Sequence, residues 1–149
     1  MSRLVAQTSS QTVRPGEFRL PPPRVLRTFI VEDSPVILDN LISVLEAMSP
    51  VRVVGHAADE WTALDRIADH QDELDLVIVD IFLRTGSGLG VLRGALQAKV
   101  PAPRVVLSNC ATVDMRAQCM ALGATRVFDK SNDLADLLAF CSRLAANPG

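Results

Sequence analysis

From Arg24 onward, short apolar runs alternate with helix-length amphipathic stretches, at intervals of about 20 to 28 residues, the rhythm of repeated βα units. Five units can be read. The first strand, Val25 to Val31, ends in Phe29-Ile30-Val31, and Ser34-Pro35 then opens a helix, serine as the N-cap and proline at the first position, where a missing N–H costs no helical bond. Ile37, Leu41, Val44, Leu45 and Met48 follow at helical spacing as one apolar stripe. Strand two, Val51 to Ala57, alternates most and is placed at a sheet edge; a second helix, Glu60 to His70, groups Leu64, Ile67 and Ala68. Strand three, Leu74 to Val79, contains the unbroken run Leu76-Val77-Ile78-Val79, which suits a strand covered by helices on both faces. A helix over Leu89 to Ala98, a strand over Arg104 to Leu107, a helix over Thr112 to Leu122 and a strand over Thr125 to Phe128 follow. A last helix carries Leu134, Leu137, Leu138, Cys141 and Leu144.

This alternation specifies an α/β fold, a doubly wound five-stranded parallel sheet with helices on both faces, whose site lies beyond the carboxyl ends of the strands. Residues 24–144 form that domain. Residues 1–23, with Pro15, Gly16 and Pro21-Pro22-Pro23 and no sustained periodicity, read as a flexible arm, and residues 145–149 as a stub. With 48% hydrophobic and 21% charged residues, 149 residues suffice for one buried core. The 15 basic and 17 acidic residues give a formal charge of −2, so no basic field is present to hold nucleic acid. No apolar run reaches the roughly 18 residues of a membrane span, and Met1 to Gln11 lacks a signal-peptide core; a cytoplasmic chain is expected. Cys110, Cys119 and Cys141 lack CxxC spacing and read as reduced apolar side chains. His56 and His70 have no partner at metal spacing and read as structural, and Trp61 as a partly buried anchor. Gly86, Gly88, Gly90 and Gly94 do not follow a strand with GxGxxG spacing and are assigned to turns and close helix packing.

Chemistry gathers at the strand ends. Strand one runs into Glu32-Asp33, strand three into Asp80, strand four into Ser108, and strand five leads to Lys130. In a parallel sheet these converge on one pocket. Carboxylates brought together raise one another's pKa, which a hard, oxygen-preferring divalent cation relieves, and Mg2+ fits because it accepts carboxylates, waters and phosphate oxygens. A carboxylate held in line can accept a phosphoryl group when the metal, an ammonium and a hydroxyl neutralise the transferring oxygens. Asp80, Lys130 and Ser108 match those three roles.

The segments Phe29-Ile-Val-Glu-Asp-Ser-Pro, Leu76-Val-Ile-Val-Asp80-Ile-Phe-Leu, Val105-Val-Leu-Ser108-Asn and Phe128-Asp-Lys130-Ser, with Gly88 eight residues past Asp80, together resemble the receiver domain of two-component response regulators. The resemblance spans about Arg24 to Leu144. It implies strand order 2-1-3-4-5, phosphoryl transfer to Asp80 from a sensor histidine kinase or histidine phosphotransfer protein, and Mg2+ held by Glu32, Asp33, Asp80 and the backbone carbonyl of Phe82. Ser108 and Lys130 would contact the phosphoryl group and relay its arrival. By this reading the chain is a phosphoacceptor that acts only on its own phosphorylation and dephosphorylation rather than an enzyme. It would be a stand-alone receiver signalling through protein contacts to a downstream target that the sequence does not name, without direct nucleic-acid binding or membrane insertion.

The chain departs from the family pattern at several places. Val127 stands at the usual switch aromatic, with Phe128 on the opposite face of the strand. Lys130-Ser131 replaces Lys-Pro, so a trans bond is expected. Leu83-Arg84 followed by Thr85-Gly86-Ser87 suggests a more flexible loop over the site. These substitutions support an alternative, a degenerate receiver that serves as a phosphorylation-independent interaction module. A flavin carrier of the same architecture is disfavoured because Glu32-Asp33 would repel a flavin phosphate. Phe82 and Asn109, both bulkier than the pattern expects, are read as obstructing the water that attacks an aspartyl phosphate. Phe82→Asn and Asn109→Ala are therefore expected to lose the phosphoryl group faster than the parent chain in a time course of bound phosphate; unchanged or slower loss contradicts the reading.

Overall fold

The computed structural model describes residues 24–109 and 111–146; the expected arm at 1–23, Cys110 and residues 147–149 lie outside them. In chain order the elements are β1 (Leu26–Val31), α1 (Pro35–Met48), β2 (Val51–Ala57), α2 (Glu60–His70), β3 (Leu76–Val79), α3 (Gly88–Gln97), β4 (Arg104–Ser108), α4 (Val113–Ala121), β5 (Arg126–Asp129) and α5 (Leu134–Ala146). The strands form one sheet in the order β2-β1-β3-β4-β5, with every pairing parallel. The expected α/β architecture and strand order are thus both present, and β2 is an edge strand. Among the described residues no helix is long and apolar enough to cross a membrane.

Period-2 alternation on the central strands divides the core in two. Phe29, Val31, Val77, Val79, Val106 and Val127 point to one side, where α2, α3 and α4 contribute Ile67, Val91, Leu92, Ala95 and Cys119. Leu26, Ile30, Leu76, Ile78, Val105 and Phe128 point to the other, against Leu38, Leu41 and Leu45 of α1 and Leu137, Cys141 and Ala145 of α5. Residues Leu76–Val79 are all buried, the result of covering both faces. Phe128 is further held edge-on by Phe140, ring centroids 6.0 Å apart.

Local signals account for the helix starts. Ser34 Oγ accepts the Ile37 N–H, with Pro35 at the first position; Asp59 caps α2 through Thr62, Ser87 caps α3 through Leu89, and Thr112 caps α4 through Met115. The helical stripes are shifted from those read in the sequence. Leu38 replaces Ile37 on the buried face of α1, and Met48 is exposed. On α2 Ala63 packs with Ile67, whereas Ala68 is exposed and Leu64 only partly buried. Leu74 is buried but precedes β3. Helix α5 continues two residues past Leu144, through Ala145 and Ala146, so those two positions belong to the fold; the Ala145 carbonyl accepts the Arg24 N–H at 3.3 Å, joining the first described residue to the last helix.

Candidate functional site

Each site residue sits at the end of a strand or within two residues of it, and backbone bonds carry the sheet pattern into the site. The Glu32 N–H donates to Ala57 O at 3.0 Å, the Asp80 N–H to Val31 O at 2.9 Å, and the Lys130 N–H to Ser108 O at 2.9 Å. Parallel pairing then brings side chains about a hundred residues apart to one edge of the sheet. Glu32, Asp80 and Ser108 are buried there. Carboxylate oxygens of Glu32, Asp33 and Asp80 all lie within 4.8 Å of one another.

At that spacing two unit charges repel by about 3 kcal/mol at an effective dielectric near 20. Lys130 offsets part of this: its Nζ donates to Glu32 Oε1 at 2.8 Å and lies 3.5 Å from Asp80 Oδ2. Backbone donors reach one oxygen of each carboxylate. Glu32 Oε2 accepts the Ser34 N–H at 3.1 Å, Asp33 Oδ2 accepts the Arg84 N–H at 2.7 Å, and Asp80 Oδ1 accepts a long bond from the Phe82 N–H at 3.4 Å. Burial pushes the Asp80 carboxyl above the ordinary aspartate range; Lys130 opposes this, Glu32 adds to it, and the Phe82 N–H opposes it more weakly. Three carboxylates against one ammonium leave an excess of negative charge on an all-oxygen donor set, which suits a hard divalent cation such as Mg2+.

The loop after Asp80 is held by its neighbours rather than loose. The Gly88 N–H donates to Ile81 O at 2.9 Å, and a Cβ on Gly88 would overlap the Asp80 carbonyl oxygen, so only glycine lets α3 start this close to the end of β3. The Arg84 N–H is tied to Asp33, the Ser87 N–H donates to Glu60 Oε1 at 3.0 Å, and Thr85 O accepts the Glu60 N–H at 3.4 Å. The loop expected to be more flexible is thus tied by hydrogen bonds to two carboxylates from elsewhere in the chain, those of Asp33 and Glu60.

All of the residues read from the sequence as a site meet at this edge: Glu32, Asp33, Asp80, Ser108 and Lys130, with Phe82 two residues past Asp80 and 56% exposed. Asn109 is also exposed. His56 and His70 are exposed and outside the carboxylate cluster. Trp61, expected as a partly buried anchor, is instead 61% exposed. No cis peptide occurs among the described residues, so Lys130-Ser131 is trans. Two contributors escaped sequence reasoning. Glu60 is one, foreshadowed only by the run of glycines it packs against. The other is Arg116, whose guanidinium donates to Ala111 O at 3.2 Å and Val127 O at 2.8 Å and reaches Asp133 at 3.5 Å.

A family model for the response regulator receiver domain matches residues 28–142. The chain belongs to this family. Among curated relatives, it is 34% identical over 112 residues to protein-glutamate methylesterase/protein-glutamine glutaminase 5 of Myxococcus xanthus, covering 74% of this chain and 31% of that one. It is 32% identical over 109 residues to the corresponding protein of Anaeromyxobacter dehalogenans, covering 72% of this chain and 29% of that one. The chain thus spans about three tenths of the length of these relatives. Among solved structures, the response regulator domain of Thermotoga maritima CheB superposes with a TM-score of 0.72 at 22% identity, covering 83% of this chain and 98% of that one; this likeness bears on the receiver fold alone.

The raised Asp80 pKa sets a pH dependence for the metal-free receiver. The folded state holds the Asp80 proton more tightly than the unfolded chain, so stability falls as pH rises from the ordinary value of 3.8 through the folded value. Asp80→Asn removes this loss. In a chelator, urea midpoints are expected to show the variant more stable than the parent at neutral pH and the gap closing toward acid; a parent more stable at neutral pH contradicts the burial argument.

Proposed function

We propose that this receiver accepts a phosphoryl group on Asp80 from a sensor histidine kinase or a histidine phosphotransfer protein and transmits that state through protein contacts, without turning over another substrate. The observation that carries the reading is the placement of a buried carboxylate at the end of the central strand β3, with an ammonium 3.5 Å away and two further carboxylates within 4.8 Å.

In the transfer, an Asp80 carboxylate oxygen forms a bond to phosphorus as the bond from phosphorus to the donor imidazole nitrogen breaks. The bonding electrons return to that nitrogen, and an imidazole protonated on its other nitrogen leaves neutral. Mg2+ bound by Glu32, Asp33, Asp80 and the Phe82 carbonyl would neutralise charge on the transferring oxygens. The chain's own groups supply the rest. The Lys130 ammonium exchanges part of its pairing with Asp80 for an oxygen of the arriving group. Ser108, buried at the end of β4, presents a short hydroxyl donor. The Phe82 N–H and the fixed loop keep Asp80 oriented. The new charge then biases the segments that carry Ser108 and Lys130, which is the physical content of signalling by population shift.

A phosphorylation-independent module draws support from Val127, Ser131 and Arg84. None of these removes an oxygen or the ammonium from the site: Val127 is packed in the core, Ser131 is exposed, and Arg84 uses only its backbone N–H toward Asp33. Phosphoacceptance is therefore the better-supported function. The buried thiols Cys119 and Cys141 are free, which suits a reducing, cytoplasmic setting. Incubated with acetyl phosphate and Mg2+, the parent chain is expected to gain one phosphoryl group by intact mass, and Asp80→Asn or added chelator to gain none. Equal uptake by Asp80→Asn, or no uptake by the parent with either small or protein donors, overturns the proposal in favour of the adaptor.

A further inference from the structure

We infer that Glu60 is a positioning residue for this site, a carboxylate that clamps the loop carrying Phe82 and Arg84. The inference rests on the phosphoacceptor reading above and names the residue that shapes its loop.

Glu60 is the first residue of α2, on a different element from every group in the carboxylate cluster. Its side chain accepts the Ser87 N–H at 3.0 Å, and its own N–H donates to Thr85 O at 3.4 Å. Ser87 is in turn the N-cap of α3. The packing around Glu60 is built for it. A Cβ on Gly90 would collide with the Glu60 carboxylate, and one on Gly86 would fall 2.5 Å from Glu60 Cβ and 2.9 Å from the Trp61 ring. Gly86 also has φ +78°, a conformation other residues adopt only with strain. Two glycines thus clear the space that one carboxylate fills, on either side of Gly88, which clears the space for the Asp80 carbonyl.

The nine-residue path from Asp80 to Gly88 is consequently fixed at three levels. Its ends are pinned by the sheet and by the bond from Gly88 to Ile81. Its centre is pinned by the Arg84 N–H on Asp33. Its far side is pinned by Glu60 at Thr85 and Ser87. Asp33 and Phe82 are two of the groups assigned to the cation, so any slack in the loop would be felt as a misplaced Phe82 carbonyl and a freed Asp33. Outer groups that orient ligands typically change metal affinity by about 10- to 100-fold when removed. Because the Glu60 side chain acts through one hydrogen bond, accepted from the Ser87 backbone N–H, its oxygen rather than its charge is what the loop requires.

The test uses the full chain, Glu60→Ala and Glu60→Gln, with Mg2+ affinity by calorimetry and amide hydrogen exchange of the metal-free proteins. Glu60→Ala is expected to weaken Mg2+ binding by about tenfold and to raise exchange at residues 82–88 while the core strands keep their protection. Glu60→Gln retains an amide oxygen for the Ser87 N–H and is expected to recover most of both. The inference is overturned if Glu60→Ala binds Mg2+ as the parent does, if Glu60→Gln is as weak as Glu60→Ala, which would assign the effect to charge, or if exchange rises throughout the chain. A parent that binds no Mg2+ overturns the site reading itself, and the role of Glu60 with it, whereas a parent that binds normally isolates the failure to Glu60.

Discussion

Glu32 and Asp80 are carried into a dry edge of the molecule by strands that owe their own stability to burial on both faces. The same hydrophobic packing that makes β1 and β3 stable removes the water that would otherwise screen their terminal carboxylates. Everything else at this edge answers that conflict. Lys130 bridges Glu32 and Asp80, backbone N–H groups of Ser34, Phe82 and Arg84 take up oxygens, and the residual negative charge leaves a place for a divalent cation. A site whose metal-free form is strained in this way has a built-in preference for ligands that bring positive charge, and a built-in sensitivity to a new anion on Asp80.

The fold was legible because its signals are local and repeated. Five strand positions, the Ser34-Pro35 start and the unbroken Leu76–Val79 run each speak for themselves, and parallel topology follows from helix-length crossovers. The acidic cluster was legible for the same reason: once strands are parallel, their carboxyl ends must meet. The errors concern quantities that a single element does not contain. Whether Ile37 or Leu38 faces the sheet, and whether Met48 does, depends on how α1 docks rather than on its own spacing. The loop after Asp80 looked loose in sequence because its restraints, Glu60 and Asp33, come from elsewhere in the chain.

The departures from the family pattern have structural counterparts. Val127 and Phe128 do lie on opposite faces of β5, so β5 presents an aliphatic side chain on the Val127 side. Arg116 lies there instead, joining the segment after β4, the Val127 carbonyl and Asp133, and Asp133 in turn accepts the Asp129 N–H at 2.9 Å. Arg126 stacks its guanidinium 5.0 Å from the centre of the Phe128 ring, on the other face. The segment after β4 is thus joined to β5 by the Arg116 contacts, and β5 to α5 by aromatic packing on the other face.

The central claim is that Glu32, Asp33, Asp80, Ser108 and Lys130 act as one cation-dependent phosphoacceptor centre. The most direct measurement is a magnesium titration of the isotope-labelled chain by NMR, followed by addition of beryllofluoride, a non-hydrolysable mimic of the phosphoryl group. The account predicts that the amides of Asp33, Asp80, Phe82 and Arg84 shift together with Mg2+ and saturate at one equivalent, and that those of Ser108 and Lys130 shift with beryllofluoride only when Mg2+ is present. Shifts scattered over the surface, or a beryllofluoride response without Mg2+, would contradict it.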